Sequence, residues 1–374
     1  MQVSNGTRLL SLDILRGFDM FFIMGSPILF KALAKITDCE PFIWISSQMK
    51  HCVWDGFAWM DLVFPLFLFI SGITFPISYN KNICKPDYSK KKFCKYILRR
   101  VAVLVVLGML YNGLLSTLSF SENRYCSVLG RIGIAWGIAA FIYMGITSRI
   151  KRVLVIFAIL MGYWLIFLLF KAPDAIPEAH YLSPEGNIAG YIDRLLIPGQ
   201  LYMKDLYEAE GILSTIPSVA TAMLGMFLGD YMVFSKDLPL KKIRMILLVG
   251  GLLVLLGWCW GMILPINKTL WSSSFVLFVG GLSALLFALF YWIFDVKAYC
   301  SRVGLFFKVI GMNSIFIYLL QKIINFNDVS QFFIKGVCSY LPDNYDLLLL
   351  GMTRVALCWL ILYFMYKRSI FFKV

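Results

Sequence analysis

The sequence predicts an all-α, polytopic integral membrane protein, and three observations predict it. Of 374 residues, 60% are hydrophobic and only 15% charged, against roughly 25% charged in an ordinary soluble domain. The apolar residues fall in runs of about 20, the length a helix needs to cross a bilayer. The Lys and Arg residues collect in every second connection between those runs, the pattern that marks cytoplasmic loops.

Ten spans are expected, near residues 12–34, 60–79, 97–118, 128–146, 153–170, 211–233, 243–264, 271–293, 303–324 and 347–366. Together they use almost all the apolar sequence, so residues 1–374 read as one transmembrane domain with no separate soluble domain. The first span is as long as a full crossing and no cleavable leader is visible, so it is expected to stay in the protein. It carries Asp13, Arg16 and Asp19 at spacings of three, which puts them on one helix face. The triplet reads either as a self-neutralised interfacial anchor, with Arg8 and Arg16 snorkelling, or as a place where Arg16 binds an anionic ligand. The second span carries Asp61 near its start and Pro65 four residues on. A helical proline displaces the carbonyl of residue i−4, here Asp61, so a kink and a carboxylate are expected together.

The third span follows Lys81, Lys85, Lys90, Lys91, Lys92, Lys95, Arg99 and Arg100, and the fifth follows Arg149, Lys151 and Arg152. Between them the fourth holds Arg131 in VLGRIGIAW. The sixth is preceded by a long acidic connection, 171–210, with Asp174, Glu178, Glu185, Asp193, Asp205, Glu208 and Glu210. The seventh follows Lys236, Lys241, Lys242 and Arg244. The eighth follows Asn267 and Lys268 in LPINKTLWSSS, the ninth contains Asn313 and Gln321, and the tenth runs into Lys367, Arg368 and Lys373. With ten spans every basic connection lies on one side, so both termini are expected in the cytoplasm. The net charge of +14 is thereby explained without a nucleic-acid partner. No internal repeat is visible, which weighs against a transporter built on inverted repeats.

The chain has two histidines and nine cysteines. The cysteines show no C-x-x-C pair or metal spacing, and a Cys39–Cys52 bridge would need an oxidising side. No metal site is expected. There is no G-x-S-x-G, H-E-x-x-H, Walker loop or G-x-G-x-x-G. His180 lies in a polar, proline-containing connection and reads as a surface residue. His51 opens the stretch HCVWDGFAWMDLVFPLFLFISG at 51–72. Asp55 is spaced i, i+4 from it. Asp61 is ten residues on, about 280° around a helix, so the two meet only if the chain bends, and Gly56 is the residue to bend it.

Ionisable groups within spans are costly and by default functional. By the alternating topology Arg131, Lys268 and Gln321 lie in the outer half and Asn313 nearer the middle. Each alone is an ordinary interhelical hydrogen bond; together they describe a polar cavity open to the outside, with Glu208 and Glu210 at its rim. A lone His with a carboxylate to orient it suits deprotonation of an amine or hydroxyl attacking an activated carbonyl. The basic rim, Arg100 included, suits a phosphate-rich donor, although positive-inside loops explain it equally. The competing class is a proton-coupled sugar transporter with His51 and Asp61 as a relay.

RLLSLDILRGFDM at 8–20, followed by the 51–72 stretch, resembles the heparan-α-glucosaminide N-acetyltransferase family and its bacterial relatives. The matching residues are Arg8, Ser11, Leu12, Asp13, Arg16 and Gly17, then His51, Trp54, Gly56, Asp61, Phe64, Pro65, Phe67, Phe69 and Gly72. VLGRIGIAW, EGILSTIPSVATAMLG, LPINKTLWSSSFVLFVGG and IGMNSIFIYLLQ resemble later family segments. The resemblance implies an enzyme that takes acetyl from cytoplasmic acetyl-CoA and places it on the amine of a terminal glucosamine across the membrane. It carries the family's catalytic histidine over to His51 and the motif's Asp to Asp61; by spacing Asp55 remains the other candidate to orient His51. The donor is expected to meet Arg16, Arg131, Lys268, Asn313 and Arg100, and the acceptor to meet Trp54, Glu208, Glu210 and Asn267. Whether His51 acts as a base or carries the acetyl is left open. The large lumenal N-terminal region of the animal enzymes is expected to be missing, Asp55 stands where their motif tends to have Asn, and Gly130 where relatives often show Gln. These departures bear on the acceptor, and heparan itself is not implied. The expected partners are acetyl-CoA, an amino sugar or oligosaccharide, the bilayer of a bacterial inner membrane and, as an open option, a second copy in a homodimer.

Overall fold

The computed structural model describes residues 9–115, 119–204, 206–299, 302–342 and 344–372. Arg8, Asp205, Cys300, Lys373 and the last three residues of the expected third span lie outside them. Among the described residues the architecture is helical, without a strand ladder. In chain order the helices are α1 Leu10–Met24, α2 Ser26–Thr37, α3 Glu40–Gln48, α4 Trp59–Ile83, α5 Lys90–Tyr111, α6 Val128–Gly145, α7 Arg149–Leu169, α8 Ile188–Leu196 and α9 Ile212–Phe234. Then follow α10 Pro239–Gly261, α11 Ser273–Phe290 with a π-helical extension Tyr291–Val296, α12 Arg302–Met312, α13 Ser314–Ile323, α14 Phe326–Cys338 and α15 Tyr345–Lys367.

Seven of these, α4, α6, α7, α9, α10, the extended α11 and α15, are long and apolar enough to cross a membrane. The bent pairs α1–α2 (62°) and α12–α13 (69°) raise the number to nine at most. The sequence expectation was ten, and the difference is α5. Its first half carries Lys90, Lys91, Lys92, Lys95, Arg99 and Arg100, so only about half a span of apolar helix remains. The first and ninth expected spans are not straight. The first breaks at Gly25, whose φ of +143° is open to glycine. The ninth breaks at Asn313. The second, by contrast, runs from 59 to 83 through both Pro65 and Pro76.

α4 is the most buried of the apolar helices, while α10 and α15 turn most of their surface outward. Leu247, Leu248, Leu252, Leu255 and Trp258 on α10 and Leu154, Phe157 and Leu168 on α7 are exposed, as a lipid-facing belt is. In lipid, helices associate through close backbone approach rather than a hydrophobic drive. The central pairs use glycine for it. A Cβ on Gly72 of α4 would lie 2.2 Å from the Ala222 carbonyl oxygen of α9, and one on Gly225 of α9 would lie 2.2 Å from that of Phe69. Gly17 and Gly311 seat α1 on α12 in the same way.

Chain direction fixes which ends coincide. α4, α6, α9 and α11 all begin at one end of the bundle. α11 with its extension is 24 residues long, about 36 Å, so its far end marks the opposite side. There the Asp295 carboxylate accepts the backbone N–H groups of Leu10 and Ser11, each at 3.0 Å. A negative charge at that helix start also complements its dipole. All eight described cysteines, Cys39 and Cys52 among them, are free thiols.

Candidate active site at the head of α4

Residues 49–58 leave helical geometry, and Gly56 sits at φ +115°. Its N–H donates to the Ile266 carbonyl at 2.8 Å, so the turn is pinned to the 262–272 connection. The turn carries His51 back over the start of α4. There His51 Nδ1 lies 2.7 Å from Asp61 Oδ1; an ionised carboxylate can only accept, so this contact places the proton on Nδ1. Asp61 is the third residue of α4 and its other oxygen accepts Ala58 N–H at 3.1 Å and Cys52 N–H at 3.2 Å. One buried carboxylate therefore starts the helix, closes the turn and orients the imidazole. Of the two candidate partners of His51, Asp61 is the one in contact. Asp55 instead accepts from the Asn267 amide at 3.1 Å.

The burial is unequal in a useful way. The Asp61 side chain is 1% exposed and that of His51 52%. With the Nδ1 proton committed to Asp61, Nε2 is left as the basic nitrogen of the ring, 3.5 Å from Lys268 Nζ. Lys268 completes the group, its Nζ 3.3 Å from Asp61 Oδ1 and 2.9 Å from His51 Nδ1. Burial lowers the Lys268 ammonium below the ordinary lysine range, with Asp61 beside it acting the other way. Burial likewise raises the Cys52 thiol, and the Asp61 charge adds to this, so that thiol stays protonated.

The 262–272 connection is held rigid by its polar residues. Asn267 N–H donates to Ser272 Oγ at 3.1 Å, Asn267 Oδ1 accepts Leu270 N–H at 2.8 Å, and Trp271 Nε1 donates to Thr221 at 3.1 Å. Asn267 is thus a joint between two turns. Below it, Arg131 is 2% exposed, donates to Ser214 Oγ and lies 5.1 Å from the Trp271 ring centre. Its Nε is buried with no hydrogen-bond partner. Trp54 Nε1 donates to the Leu182 carbonyl at 2.8 Å and its ring centre is 4.9 Å from that of Tyr207, so Trp54 ties the turn to the long connection before α9.

Glu208 and Glu210 lie deeper than a rim. Both receive Arg124, and Glu208 also accepts the backbone N–H groups of Tyr202 (2.9 Å) and Glu210 (3.1 Å). Burial raises Glu210 above the usual carboxylate range, against the pull of Arg124. Sequence reasoning missed Arg124, because it sits more than 80 positions from its partners in an unremarkable loop. It also missed Asp193, which is 2% exposed and accepts Ile212 N–H at 2.9 Å.

Three expected donor residues are not brought to His51. Arg100 lies over the Trp136 ring at 4.3 Å, and Trp136 Nε1 donates to Ser71 at 3.2 Å, about 15 Å along α4 from Asp61. Arg16 pairs with Asp13 at 3.9 Å, about one and a half turns from the Asp295 cap, at the end of the bundle away from His51. Asn313 is at that end rather than at mid-depth, because its amide holds the C-terminal tail. It donates to the Ile370 carbonyl at 3.0 Å and accepts Phe372 N–H at 2.8 Å. Beside it is a recess of about 550 Å³ lined by residues that include Asp13, Lys308, Tyr366 and Lys367. Gln321 accepts from Arg354 at 3.1 Å. Among the described residues no three His, Cys, Asp or Glu side chains gather as a metal site would need.

No family model matches the chain. Curated relatives do. The heparan-alpha-glucosaminide N-acetyltransferase of Mus musculus is 28% identical over 386 residues, covering 87% of this chain and 56% of the relative. That of Homo sapiens is 29% identical over 384 residues, with the same coverage. The chain spans about half the length of these curated relatives. Over nearly nine-tenths of its own length this multi-pass helical bundle is similar to the heparan-alpha-glucosaminide N-acetyltransferases.

Proposed function

We propose that this chain is a transmembrane acetyltransferase that moves acetyl from cytoplasmic acetyl-CoA to the amine of an amino sugar or glycan on the outer face. The observation that carries the reading is the His51–Asp61 pair: a half-exposed imidazole whose Nδ1–H is fixed by a carboxylate that is 1% exposed. That arrangement leaves one basic nitrogen on a half-exposed ring, as general-base acyl transfer requires. The relatives' name supplies the transferred group and the acceptor class.

In this reading the acceptor amine attacks the thioester carbonyl, a C–N bond forms and the C–S bond breaks. His51 Nε2 takes the amine proton and passes it to the departing thiolate, while Asp61 stabilises the transient imidazolium. In the stepwise variant Nε2 itself attacks the thioester carbonyl, the C–S bond breaks and the CoA thiolate leaves, and the acceptor amine then takes the acetyl as the Nε2–C bond breaks. The basic starts of α5, α7 and α10 mark the cytoplasmic side. Both termini then lie in the cytoplasm, α5 acts as the tenth crossing with its basic half in the headgroups, and the His51 turn faces outward. Residues 1–374 form one transmembrane domain, and the membrane is a bacterial inner membrane.

The test is side-resolved. Protein reconstituted in vesicles receives labelled acetyl-CoA on the side of the basic loops and glucosamine on the other. The reading expects N-acetylglucosamine on the far side only, and none from His51→Ala. Labelled protein formed without acceptor marks the stepwise variant. Uptake of free sugar down a proton gradient, without acetylation, would instead establish a transporter.

A further inference from the structure

Lys268 is the second basic group on Asp61, and its placement is costly. It is held on the 262–272 connection, where Asn267, Ser272 and Trp271 are all hydrogen-bonded. That connection is in turn tied to the His51 turn through Gly56–Ile266 and Asp55–Asn267. Its Nζ lies 3.3 Å from Asp61 Oδ1, and 2.9 Å and 3.5 Å from His51 Nδ1 and Nε2. A cation so close to both ring nitrogens opposes a second positive charge on the imidazole.

The titratable groups closest to His51 come from three elements. Among the described residues Asp61 on α4 is the only carboxylate in contact with the ring. Cys52, on the His51 turn itself, is an uncharged thiol. Lys268 comes from the third, and behind it stand Arg131 of α6 and Glu210, which acts on Lys268 and Arg131 electrostatically. Without Lys268, His51 and Asp61 would form a simple ion pair, which favours the protonated imidazole. A protonated imidazole has no lone pair to act as a base. With Lys268, the Asp61 charge is already neutralised, and Asp61 can still hold the Nδ1–H.

We propose that Lys268 is a positioning residue that shares Asp61 with His51 and so keeps the imidazole neutral, with its Nε2 lone pair available at neutral pH. The assignment rests on the reading of His51 as the reacting group. Its test does not depend on turnover.

The chain has two histidines, so a His180→Gln background leaves one ¹⁵N-labelled imidazole to follow by NMR in nanodiscs. Removing the neighbouring cation, as in Lys268→Met, moves the His51 titration to higher pH by roughly one to three pH units. Lys268→Arg keeps the charge and leaves it near the wild-type position. Acetyl transfer by Lys268→Met, scored in parallel, falls at neutral pH and recovers toward alkaline pH, because the base reappears. A merely structural lysine would lower activity equally at every pH. A His51 titration in Lys268→Met that stays put or moves down overturns the proposal and leaves the acetyltransferase reading standing. A shifted titration in a protein that acetylates no amine overturns that reading and leaves the electrostatic role of Lys268 intact.

Discussion

Replacing Asp61 by Asn separates the structural from the chemical role of one side chain. The carboxylate holds four partners: His51 at 2.7 Å and Lys268 at 3.3 Å on Oδ1, Cys52 N–H at 3.2 Å and Ala58 N–H at 3.1 Å on Oδ2. An asparagine can turn its oxygen to the two backbone donors, so the start of α4 survives. Its NH₂ then faces His51 and Lys268. Losing one charge-assisted hydrogen bond costs about 1.5–3 kcal/mol, so the variant should fold with a lowered midpoint. The chemistry suffers more. To accept from the amide, His51 must move its proton to Nε2, the nitrogen that should act as base. In the Ser-His-Asp triad the corresponding change lowers kcat about 10⁴-fold. Here we expect a fall of about 10³–10⁴-fold in kcat, or roughly 4–5.5 kcal/mol in the barrier, with a smaller change in KM. Steady-state transfer from labelled acetyl-CoA gives the rates, and ¹⁵N imidazole shifts report which nitrogen carries the proton. A kcat within tenfold of wild type, with Nδ1 still protonated, would refute the reasoning.

Other outcomes follow from the same geometry. Burial pushes Asp193 up to about 7. An acid with a raised folded-state pKa contributes its stability below its unfolded value, about 3.9, and loses it as pH rises through about 7. Asp193→Asn keeps an acceptor for Ile212 N–H and should therefore raise the unfolding free energy at pH 8 by on the order of 2–4 kcal/mol and flatten its slope between about pH 4 and 7. An unchanged slope in thermal melts would count against it. Gly311→Ala places a methyl 1.8 Å from the Asp13 carbonyl oxygen, and forcing α1 from α12 should cost about 1–3 kcal/mol in detergent melts. His180 is exposed, and its ring accepts Leu182 N–H at 3.2 Å and rests against Tyr181, so His180→Ala should stay within about 0.5 kcal/mol of wild type and keep full transfer.

Much of the fold was legible because lipid demands it. A crossing must be about 20 apolar residues, and helices such as α4, α7 and α10 announce themselves by that alone. Two expected spans, 12–34 and 303–324, gave no sign of a break because a single Gly25 or an isolated Asn313 looks ordinary within an apolar run. The break shows only when Arg354 is seen beside Gly25 and the C-terminal tail on Asn313. At the site, the rarity of histidine and the bend at Gly56 pointed to His51 meeting a distant carboxylate. Choosing between Asp61 and Asp55 needed coordinates, since Asp55 has its own partner more than 200 positions away. Depth was the weakest inference. Alternating topology placed Asn313 mid-membrane and the two glutamates at a rim, but α12 and the connection before α9 do not follow the regular spacing that such reasoning assumes.

The most direct measurement of the central claim is acetyl transfer by purified, reconstituted protein, wild type against His51→Ala, with labelled acetyl-CoA and glucosamine. His51 is half exposed and at the head of a helix that Asp61 still starts, so the variant should fold as wild type does. The account predicts N-acetylglucosamine from wild type and none above background from His51→Ala. Equal transfer by the two proteins would contradict it.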